Sequence, residues 1–322
     1  MTTELILAHA ETNEIWEISS MTTSVSWTTN RTGSPGTLKL SLIQVGQIKI
    51  SEGDAVRFSV DGQLQFFGWV FTRSVDRWGA MEVTCYDRLR YLKANASYAF
   101  YGQTAGAIIQ QIAGDLQVDV GNLADTGYQI PSLIEEDQGC LDIIGDAVQQ
   151  TLLGTGIVYV FYDDGNGLAL QEAGQMISNV VIGDQSLLTD YTYKSDIDSQ
   201  TYNSIKLARP NETTGRADVV IVQDSANIAK WGLLQLYQTV DGDVNDAQMK
   251  SQAQSSLEYY NQPLRTLSGS SLGIPGLRAG QMLLLRISDF DGAPLERYLM
   301  LEKVTHKWEQ GTHTMDFDLI GI

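Results

Sequence analysis

Gly53-Asp-Ala-Val-Arg-Phe-Ser-Val-Asp-Gly62 is the stretch that decides the fold. Apolar and polar residues alternate from Val56 to Val60, which is typical of a β-strand with one buried face. The strand runs into Asp61-Gly62, a dipeptide that strongly indicates a tight hairpin turn. The chain then returns through the aromatic run Phe66-Phe-Gly-Trp-Val-Phe71. The stretch therefore predicts an antiparallel β-hairpin.

A second stretch near the C-terminus repeats this pattern. Gly280-Gln-Met-Leu-Leu-Leu-Arg-Ile287 is followed by Asp291-Gly292, and the apolar residues of the two stretches fall at the same alternate positions. Any two β-hairpins share such patterning, so the echo indicates a duplication without establishing it. It predicts two similar β-domains in one chain, separated by an insert.

The residues between the two stretches follow a different period. Apolar residues recur with helical spacing over 105–116 and over 141–151. Asp137 is the predicted N-cap of the second helix, and Gly154 is its predicted end. A buried strand, Ile157-Val-Tyr-Val-Phe-Tyr162, follows. This part of the chain is therefore predicted to be a small α/β domain.

The predicted fold class is mainly β with an α/β insert. Short antiparallel strands at regular spacing predict a barrel or sandwich over residues 1–94. Residues 95–185 are predicted to form the α/β insert. Residues 186–322 are predicted to form a second β-domain with one amphipathic helix, which ends before Pro263.

Composition and charge limit the function. Hydrophobic residues make up 43% and charged residues 19% of the 322 residues, as in a soluble globular protein. The net charge of −18 argues against nucleic-acid binding, which requires clustered Lys and Arg. No signal peptide is indicated and no stretch has the roughly 20 apolar residues that span a bilayer. We therefore expect a protein made and kept in a cytoplasm, where Cys85 and Cys140 are either free thiols or one disulfide.

One string has the form of a serine nucleophile. Gly269-Ser-Ser-Leu-Gly273 precedes Asp289 and His306, in the order of a Ser–Asp–His triad. That chemistry needs a strand before the serine and a helix after it. The residues that follow, Ile274-Pro-Gly-Leu-Arg-Ala-Gly280, cannot continue as a helix. A string of small residues between strands is the favoured interpretation.

Two strings have the residue types of metal sites. Asp241-Gly-Asp-Val-Asn-Asp246 resembles the first half of a calcium loop, but the sixth position lacks the required glycine and the twelfth, Gln252, lacks the required acid. A helix N-terminus is favoured there. His306 and His313 lie near two aspartates across a predicted hairpin, where an exposed pair is favoured over a metal site. We predict no catalytic residue, no cofactor and no metal.

Four residues are candidates for a protein–protein interface: Trp27, Arg31, Pro35 and Trp78. The two tryptophans lie near predicted strand ends, where large aromatic side chains often anchor an interface. Tryptophans at such places belong to the core equally often. Arg31 and Pro35 lie in the predicted loop over residues 30–36.

Several strings resemble the baseplate hub proteins of contractile tails, of the PBSX-prophage type. These proteins occur in prophages of Gram-positive bacteria and in related tail-derived bacteriocins. The similarity extends over essentially the whole chain in consistent order. Its strings are Trp27-Thr-Thr-Asn-Arg-Thr-Gly-Ser-Pro-Gly-Thr-Leu38, Glu52-Gly-Asp-Ala-Val-Arg-Phe58, Tyr86-Asp-Arg-Leu-Arg-Tyr-Leu92, Asp196-Ile-Asp-Ser-Gln-Thr-Tyr-Asn203, Gln223-Asp-Ser-Ala-Asn-Ile-Ala-Lys-Trp-Gly232 and His313-Thr-Met-Asp-Phe-Asp-Leu319.

The resemblance implies a homotrimer in which each subunit carries two tail-tube-like β-barrels. Its six barrels would form a ring that is threefold in fact and nearly sixfold in shape. Such a ring joins a threefold central spike protein to a sixfold tail tube protein, with the tape measure protein and other baseplate subunits as further partners. The chain would be assembled in the bacterial cytoplasm and belong to the baseplate of a virion or tail particle. A further hypothesis is an acidic lumen that repels DNA.

A tail-tip cell-wall hydrolase or carbohydrate-binding module is the alternative. Glu135-Glu136-Asp137 would be the first place to look for paired carboxylates. A solvated loop ahead of the second helix is the favoured interpretation of these three residues.

Overall fold

The computed structural model describes residues 1–43, 48–211, 215–240, 242, 244–290 and 292–320. Within these ranges its strands are β1 (Thr3–Ala8), β2 (Ile15–Glu17), β3 (Thr22–Asn30), β4 (Thr37–Ile43), β5 (Ala55–Val60), β6 (Gln63–Val75), β7 (Ala80–Tyr86), β8 (Asn95–Gln103), β9 (Val120–Leu123), β10 (Ile130–Gly139), β11 (Tyr159–Asp163), β12 (Leu168–Glu172), β13 (Ile177–Gly183), β14 (Leu188–Asp196), β15 (Ser204–Asn211), β16 (Arg216–Gln223), β17 (Gln235–Thr239), β18 (Leu264–Leu272), β19 (Met282–Phe290), β20 (Ala293–Glu309) and β21 (Thr312–Ile320). The α-helices are α1 (Ala105–Asp115), α2 (Cys140–Thr155), α3 (Ser225–Trp231) and α4 (Asp246–Tyr260).

Two groups of strands share one neighbour order. In the first β unit, which comprises β1 to β7, the strands lie in the order β3-β4-β7-β6-β5-β1, with the short strand β2 added beyond β1. In the second β unit, which comprises β13, β14 and β18 to β21, the order is β14-β18-β21-β20-β19-β13. The two orders correspond strand by strand. They differ at the last pair, because β1 is antiparallel to β5 whereas β13 is parallel to β19.

The irregularities of the two units also correspond. The pairing of β6 with β7 shifts register between Val70 and Thr72. The pairing of β20 with β21 shifts register between Leu301 and Lys303. A β-bulge is a specific local feature that re-aims a strand. Its recurrence at the matching place gives the sequence echo a structural counterpart.

The two glycines that open the echo occupy equivalent turns. The N–H of Gly53 donates to the carbonyl of Val70 at 2.8 Å, and that of Gly280 donates to the carbonyl of Leu301 at 2.7 Å. Their φ angles are +91° and +90°, a region that side chains strongly disfavour. The glycines are therefore required by the backbone of each turn.

Strand alternation builds the core of the first β unit. Leu38, Leu40 and Leu42 of β4 are at most 2% exposed, whereas Lys39 and Ser41 between them point away from the core. Burial of each such leucine contributes about 2 kcal/mol. The second β unit has a separate core of its own, with Leu283, Leu285 and Ile287 of the echo fully buried.

The two β units are joined through the pairing of β20 with β3. This pairing produces one continuous sheet in which β14, β18, β21, β20, β3, β4, β7 and β6 are successive neighbours. The hydrogen-bonded order of the described strands stays open and does not close either unit into a barrel. The predicted class, mainly β with an α/β insert, is confirmed.

The α/β insert contains β8 to β12, α1 and α2, and its strands form two small sheets of their own. Two predictions about α2 were wrong. Its N-cap is Gly139, because Asp137 adopts φ +51° where β10 and β8 shift register. The helix passes through Gly154, which packs on the ring of Tyr128, and ends at the left-handed Gly156.

A second insertion separates β14 from β18. It contains a three-stranded sheet, in the order β16-β15-β17, with α4 packed on it. The predicted amphipathic helix is α4, and Asn245 and Gln248 form a capping box at its start. Asp241 and Asp243 of the calcium-like string lie outside the described residues. In the first β unit the matching position holds only the short loop over residues 31–36.

The division of the chain at residues 94 and 185 remains a prediction. Cys85 and Cys140 are both free and buried, and burial raises the pKa of each thiol. Among the described residues, no helix is both long and apolar enough to cross a membrane.

Candidate assembly surface

One face of the joined sheet is polar, and we call it the polar sheet face. It consists of the side chains of β14, β18, β21, β20, β3, β4, β7 and the end of β6 that point away from the two cores. Serine and threonine are frequent on it, as at Ser26, Thr28, Ser268 and Ser270. Over the second β unit it forms a depression of 490 Å³. Small hydroxyl side chains leave such a surface smooth and well hydrated.

Cross-strand hydrogen bonds order this face. Ser268 donates to Asp318 at 2.6 Å, and Ser270 donates to Asp316 at 2.8 Å. The ammonium of Lys307 donates to the same Asp316 at 2.7 Å. Several carboxylates on the face are therefore already neutralised or hydrogen-bonded by neighbouring strands.

The charges on the polar sheet face nearly balance. The strand registers place six carboxylates and four lysines on it. They are Glu82, Asp190, Asp196, Glu309, Asp316 and Asp318 with Lys39, Lys194, Lys303 and Lys307. The excess of two negative charges is a small part of the chain's −18. Most of the chain's acidity therefore lies on other surfaces.

The joined sheet ends in two open strand edges. At one end, β14 pairs with β18 and with no other described strand. At the other end, within the part of the chain that the structure describes, residues 72–75 of β6 pair only with β7, because β5 pairs with the earlier part of β6. An unpaired edge presents free backbone N–H and C=O groups that can bind another strand.

The edge of β14 has a defined orientation. The N–H of Leu272 donates towards β14, to Leu187, whereas the N–H of Gly273 donates towards β21, to His313. Backbone groups alternate sides along a strand, so the even-numbered residues of β18 face β14. Thr192 is opposite Ser268 and therefore turns its N–H inward. The odd-numbered residues of β14 then direct their N–H groups to the open edge.

Side chains reinforce the joint between β3 and β20. The hydroxyls of Thr28 and Thr305 are 3.0 Å apart on the polar sheet face. Arg31 forms an ion pair with Glu302, with an Nε–Oε2 distance of 2.5 Å. On the core side, the ring of Trp27 stacks on the ring of His306 with centroids 5.2 Å apart. The joint is therefore packed on both faces of the sheet.

A buried pair of histidines lies beside this joint, which contradicts the expectation of an exposed pair. His306 Nδ1 and His313 Nε2 are 2.9 Å apart, and His306 Nε2 is 2.6 Å from the carbonyl of Leu277. A carbonyl only accepts, so His306 Nε2 carries a proton that it donates to Leu277. His306 Nδ1 then accepts from the Nε2–H of His313. Both rings are neutral in this arrangement.

Burial lowers the pKa of both histidines. It takes the pKa of His306 from 6.5 to about 4, opposed by the hydrogen bond to Leu277. Burial also lowers the pKa of His313 to about 4, and the neighbouring His306 adds to the effect. Trp27 and Trp308 stack on the two rings, and among the described residues no carboxylate stabilises an imidazolium there.

A charged cluster lies where the first β unit, the α/β insert and the second β unit meet. Asp87 and Arg88 follow β7, Asp163 ends β11, and Arg278 precedes β19. Asp87 and Asp163 are 6% and 5% exposed. Two carboxylates and two guanidinium groups give this junction cluster no formal net charge.

Hydrogen bonds link all three parts of the chain through the junction cluster. The guanidinium of Arg88 donates to Asp163 at 3.2 Å, and that of Arg278 donates to the carbonyl of Asp163 at 2.8 Å. Asp87 accepts from the N–H of Gly36 at 2.8 Å. Burial, and next the charge of Asp163, raises the pKa of Asp87 well above its ordinary value. Burial lowers the pKa of Arg278.

Backbone contacts hold the loop before β19 on the first β unit. The N–H of Ala279 donates to the hydroxyl of Thr29 at 2.9 Å. The N–H of Gly276 donates to the side-chain oxygen of Gln65 at 2.6 Å. The relative placement of the two β units is thus set by polar contacts as well as by the joined sheet.

Replacement of Gly280 by alanine is expected to lower the free energy of unfolding by about 2–4 kcal/mol. A Cβ there would meet Val160 of the α/β insert at 2.3 Å, in addition to the positive φ. Gly53→Ala is the matched control, since Gly53 has the same φ but an ordinary 4.0 Å contact with Ala10. Urea denaturation should show a smaller loss, about 1–2 kcal/mol, for the control. Equal losses would mean that the insert packs more loosely than described.

The four interface candidates occupy different environments. Trp27 is 3% exposed and Pro35 is buried, so both pack within the chain. Arg31 is half-buried in its ion pair with Glu302. Trp78 is 74% exposed at the tip of the β6–β7 hairpin, with the guanidinium of Arg77 4.0 Å from its ring centroid. Their role in an interface stays a proposal, for which Trp78 is the most accessible residue.

The catalytic candidates do not come together. Ser271 of the serine string lies inside β18 at 2% exposure, and His306 is engaged by Leu277 and His313. Glu135 and Asp137 lie in strand β10, which corrects the predicted loop. Among the described residues, no group of three or more His, Cys, Asp or Glu side chains is arranged to hold a metal ion.

Sequence reasoning missed the junction cluster. Its members are separated by up to 191 positions along the chain, from Asp87 to Arg278. The one available signal is Arg278, a charged residue inside the apolar turn that opens the second echo.

A family model called YQBQ-like matches residues 25–320. The chain belongs to the YQBQ-like family. Two relatives from Bacillus subtilis (strain 168) support this. The chain is 31% identical over 277 residues to "Uncharacterized protein YqbQ", with 84% of this chain and 82% of the relative covered. It is 30% identical over 274 residues to "Phage-like element PBSX protein XkdQ", with the same shares covered.

The fold of this YQBQ-like chain is also that of a solved tail protein. The tail protein from Neisseria meningitidis MC58 superposes with a TM-score of 0.72 at 12% identity, covering 100% of this chain and 97% of that one. Identity at this level shows the fold alone. The YQBQ-like chain therefore has the fold of that tail protein.

Proposed function

We propose that the chain is a structural baseplate hub of a contractile tail or tail-like injection particle. Three copies form a ring with nearly sixfold shape, which links a threefold spike to the sixfold tail tube. The relative XkdQ is described as a protein of a phage-like element, and the chain has the fold of a tail protein. These two facts support a structural tail component. The hub role is the additional part of our proposal.

The continuous sheet that joins the two β units carries this proposal. It combines two units of one strand order, an open edge at each end and a polar outer face. Sheets with open edges are completed by other strands. Three copies joined edge to edge would present six similar units, which is the geometry needed to match a sixfold tube.

The polar sheet face would line the lumen of this ring, and the α/β insert would lie outside the wall. The nearly balanced charge of the face argues that the lumen is close to neutral, in place of the strongly acidic lumen hypothesised from the net charge. Hydroxyl groups and paired carboxylates offer passing DNA few free cations to bind. Charge repulsion is then not needed for passage.

A hub with no catalytic activity fits the site chemistry better than a cell-wall hydrolase does. Burial, and next the charge of Asp146, raises the pKa of Glu135. A raised pKa is a property that a carboxyl group needs to act as an acid catalyst. Asp137, however, is held by Asn95 and by Ser97 in the β10 bulge. Asp146, the carboxylate near Glu135, is itself held by a hydrogen bond of 2.9 Å from the side-chain amide of Gln138.

Native mass spectrometry and electron microscopy of the purified chain test the hub. We expect three copies with threefold symmetry and more than roughly 2,000 Å² buried per interface, as in obligate complexes. The purified spike and tube proteins should bind opposite ends of the ring. A chain that stays monomeric at high concentration, with and without these partners, would overturn the proposal.

Ser195→Pro is expected to lower the trimer population at least about tenfold, since proline removes an edge N–H and blocks strand addition. Ser195 lies on β14, and its N–H points to the open edge. The monomer should keep its melting temperature, because that N–H has no partner on β18. Ser195→Ala keeps the N–H and should assemble normally. Full assembly of the proline variant would exclude this edge as the contact.

A further inference from the structure

Resting on the trimer proposed above, we infer the residue register by which neighbouring copies join. Residues 72–75 of β6 in one copy pair antiparallel with residues 193–196 of β14 in a second copy. Thr72 lies opposite Asp196, Ser74 opposite Lys194, and Val75 opposite Tyr193. The interaction surface is thus an edge-to-edge strand pair between two copies of this chain.

The joint inside the chain supplies the template. Within the chain, β20 of the second unit pairs antiparallel with β3 of the first unit. In the repeated strand order, β20 corresponds to β6 and β3 corresponds to β14. The open edges are therefore the unpaired equivalents of the two strands that already pair within the chain. The contact between copies would then repeat the β20–β3 pairing that already exists within the chain.

The residues of β14 can be matched to those of β3 through their partners. Trp27 pairs with Leu38, and Leu38 pairs with Cys85 on the next strand. Tyr193 pairs with Leu267, which pairs in turn with Leu319 of β21. Cys85 of β7 and Leu319 of β21 lie at the matching register shifts. Tyr193 therefore corresponds to Trp27. By the same alternation, Lys194 corresponds to Thr28.

The residues of β6 are matched to those of β20 through the bulge. Counting outward from the matching register shifts, Val75 is opposite Met81 and His306 is opposite Met315. Met81 and Met315 occupy equivalent core positions of β7 and β21. Val75 therefore corresponds to His306, and Ser74 to Thr305.

Transfer of the internal register gives the pairing between copies. Within the chain, Thr28 lies opposite Thr305 with hydroxyl oxygens 3.0 Å apart. The equivalent residues are Lys194 and Ser74, which we place opposite each other on the polar sheet face. Trp27 lies opposite His306 on the core side. The equivalent pair is Tyr193 and Val75.

The backbone of the edge agrees with this register. The N–H of Tyr193 points to the open edge, by the alternation argued above. The N–H of Arg31 donates to the carbonyl of Glu302 on β20, so the odd-numbered residues of β3, including Trp27, also face their partner strand. Tyr193 and Trp27 thus have the same orientation. Lys194 is then a non-hydrogen-bonded position, where opposite side chains come closest.

Exposure and charge fit a second copy as the occupant. Val75 is 50% exposed in the single chain, and the pairing would cover it with Tyr193. The β6 edge and its hairpin carry Arg73, Asp76 and Arg77, a net charge of +1. β14 carries Asp190, Lys194 and Asp196, a net charge of −1. Opposite charges on the two edges favour this pairing over contact of either edge with itself.

The shorter β6–β7 hairpin sets where this pairing ends. Nine positions separate His306 from Met315, whereas six separate Val75 from Met81. The strand pair between copies is consequently shorter than the internal one. Beyond it, the hairpin tip with Trp78 would lie beside residues 190–192 of the second copy. This gives the most exposed of the tryptophan candidates a definite partner.

Cysteine cross-linking tests the register. In the Ser74→Cys/Lys194→Cys variant, mild oxidation should join copies into covalent dimers and trimers on a denaturing gel. Ser74→Cys/Thr192→Cys is the matched control, displaced by about 6.8 Å along the strand. It should cross-link at least about tenfold more slowly, because disulfide geometry tolerates little displacement. The native Cys85 and Cys140 are fully buried and leave the background low.

The outcomes separate this inference from the hub proposal. Trimers on native mass spectrometry that cross-link through the control pair, or through neither pair, would overturn the register and leave the ring standing. An absence of oligomers in either variant and in the unmodified chain would overturn the ring itself. Selective cross-linking of residues 74 and 194 supports both.

Discussion

Replacement of Arg278 by methionine is expected to lower the free energy of unfolding by about 3–5 kcal/mol. Arg278 is one of two cations that face Asp87 and Asp163 in the junction cluster. Its removal leaves two buried carboxylates with the single cation Arg88. A buried charge without compensation costs far more than an exposed ion pair contributes.

Chemical denaturation by urea measures this loss, and Arg286→Met is the matched control. Arg286 also forms an ion pair, with Glu296 at 2.6 Å, but both side chains are more than half exposed. An exposed pair of this kind contributes about 0–1 kcal/mol. Equal losses in the two variants would show that the junction cluster is solvated.

A double variant tests whether the loss arises from uncompensated charge. Asp87→Asn removes one carboxylate and keeps an oxygen that can accept from Gly36. Combined with Arg278→Met, it should lose less stability than the two single variants together, by about 1–2 kcal/mol. Strict additivity would mean that Arg278 acts through packing and not through its charge.

Acidification from about pH 7 to about pH 4 is expected to cost about 3 kcal/mol of folding free energy through the buried histidines. Burial takes the pKa of His306 from 6.5 to about 4, so the unfolded chain binds protons that the folded chain excludes. Stability is full above about pH 6.5 and is lost as the pH falls through this window. The figure counts His306 alone, and His313, whose pKa burial also lowers to about 4, excludes a second proton and adds to the loss.

The effect is read from the free energy of unfolding as a function of pH. The His306→Gln/His313→Gln variant keeps hydrogen-bonding groups but cannot titrate, so its curve should be flatter than that of the unmodified chain. His9→Gln, at the remaining histidine, is the control and should retain the slope. Asp87 acts in the opposite direction, because its raised pKa favours the folded state in acid. The test therefore compares the pH dependence of the double glutamine variant with that of the unmodified chain. Identical slopes in the two would contradict the prediction.

Local patterning was sufficient for much of the fold. The hairpin at Val56–Val60, its echo at 283–287 and the capping box that begins α4 all follow from short-range rules. Failures occurred where contacts distant in sequence prevailed. Gly154 stays helical because it packs on Tyr128, and the two histidines are buried because Trp27 and Trp308 cover them.

The candidate site was predicted less completely than the fold. Trp27 and Trp78 were equivalent in the sequence, since both are large side chains near strand ends. The structure places Trp27 against His306 and leaves Trp78 in solvent. The open edges were not predicted either, because an edge is defined by the strand that fails to pair, and pairing partners are not encoded locally.

By itself, the sequence determined the strand and helix periods, the duplicated hairpin and the resemblance to tail hubs, because these depend on residues close together in the chain. Only the tertiary structure decided which strands meet. It joined β20 to β3, enclosed the junction cluster and left the edges of β14 and β6 unpaired. These features depend on contacts between residues up to hundreds of positions apart. Such contacts stabilise the fold only once the distant segments have been brought together.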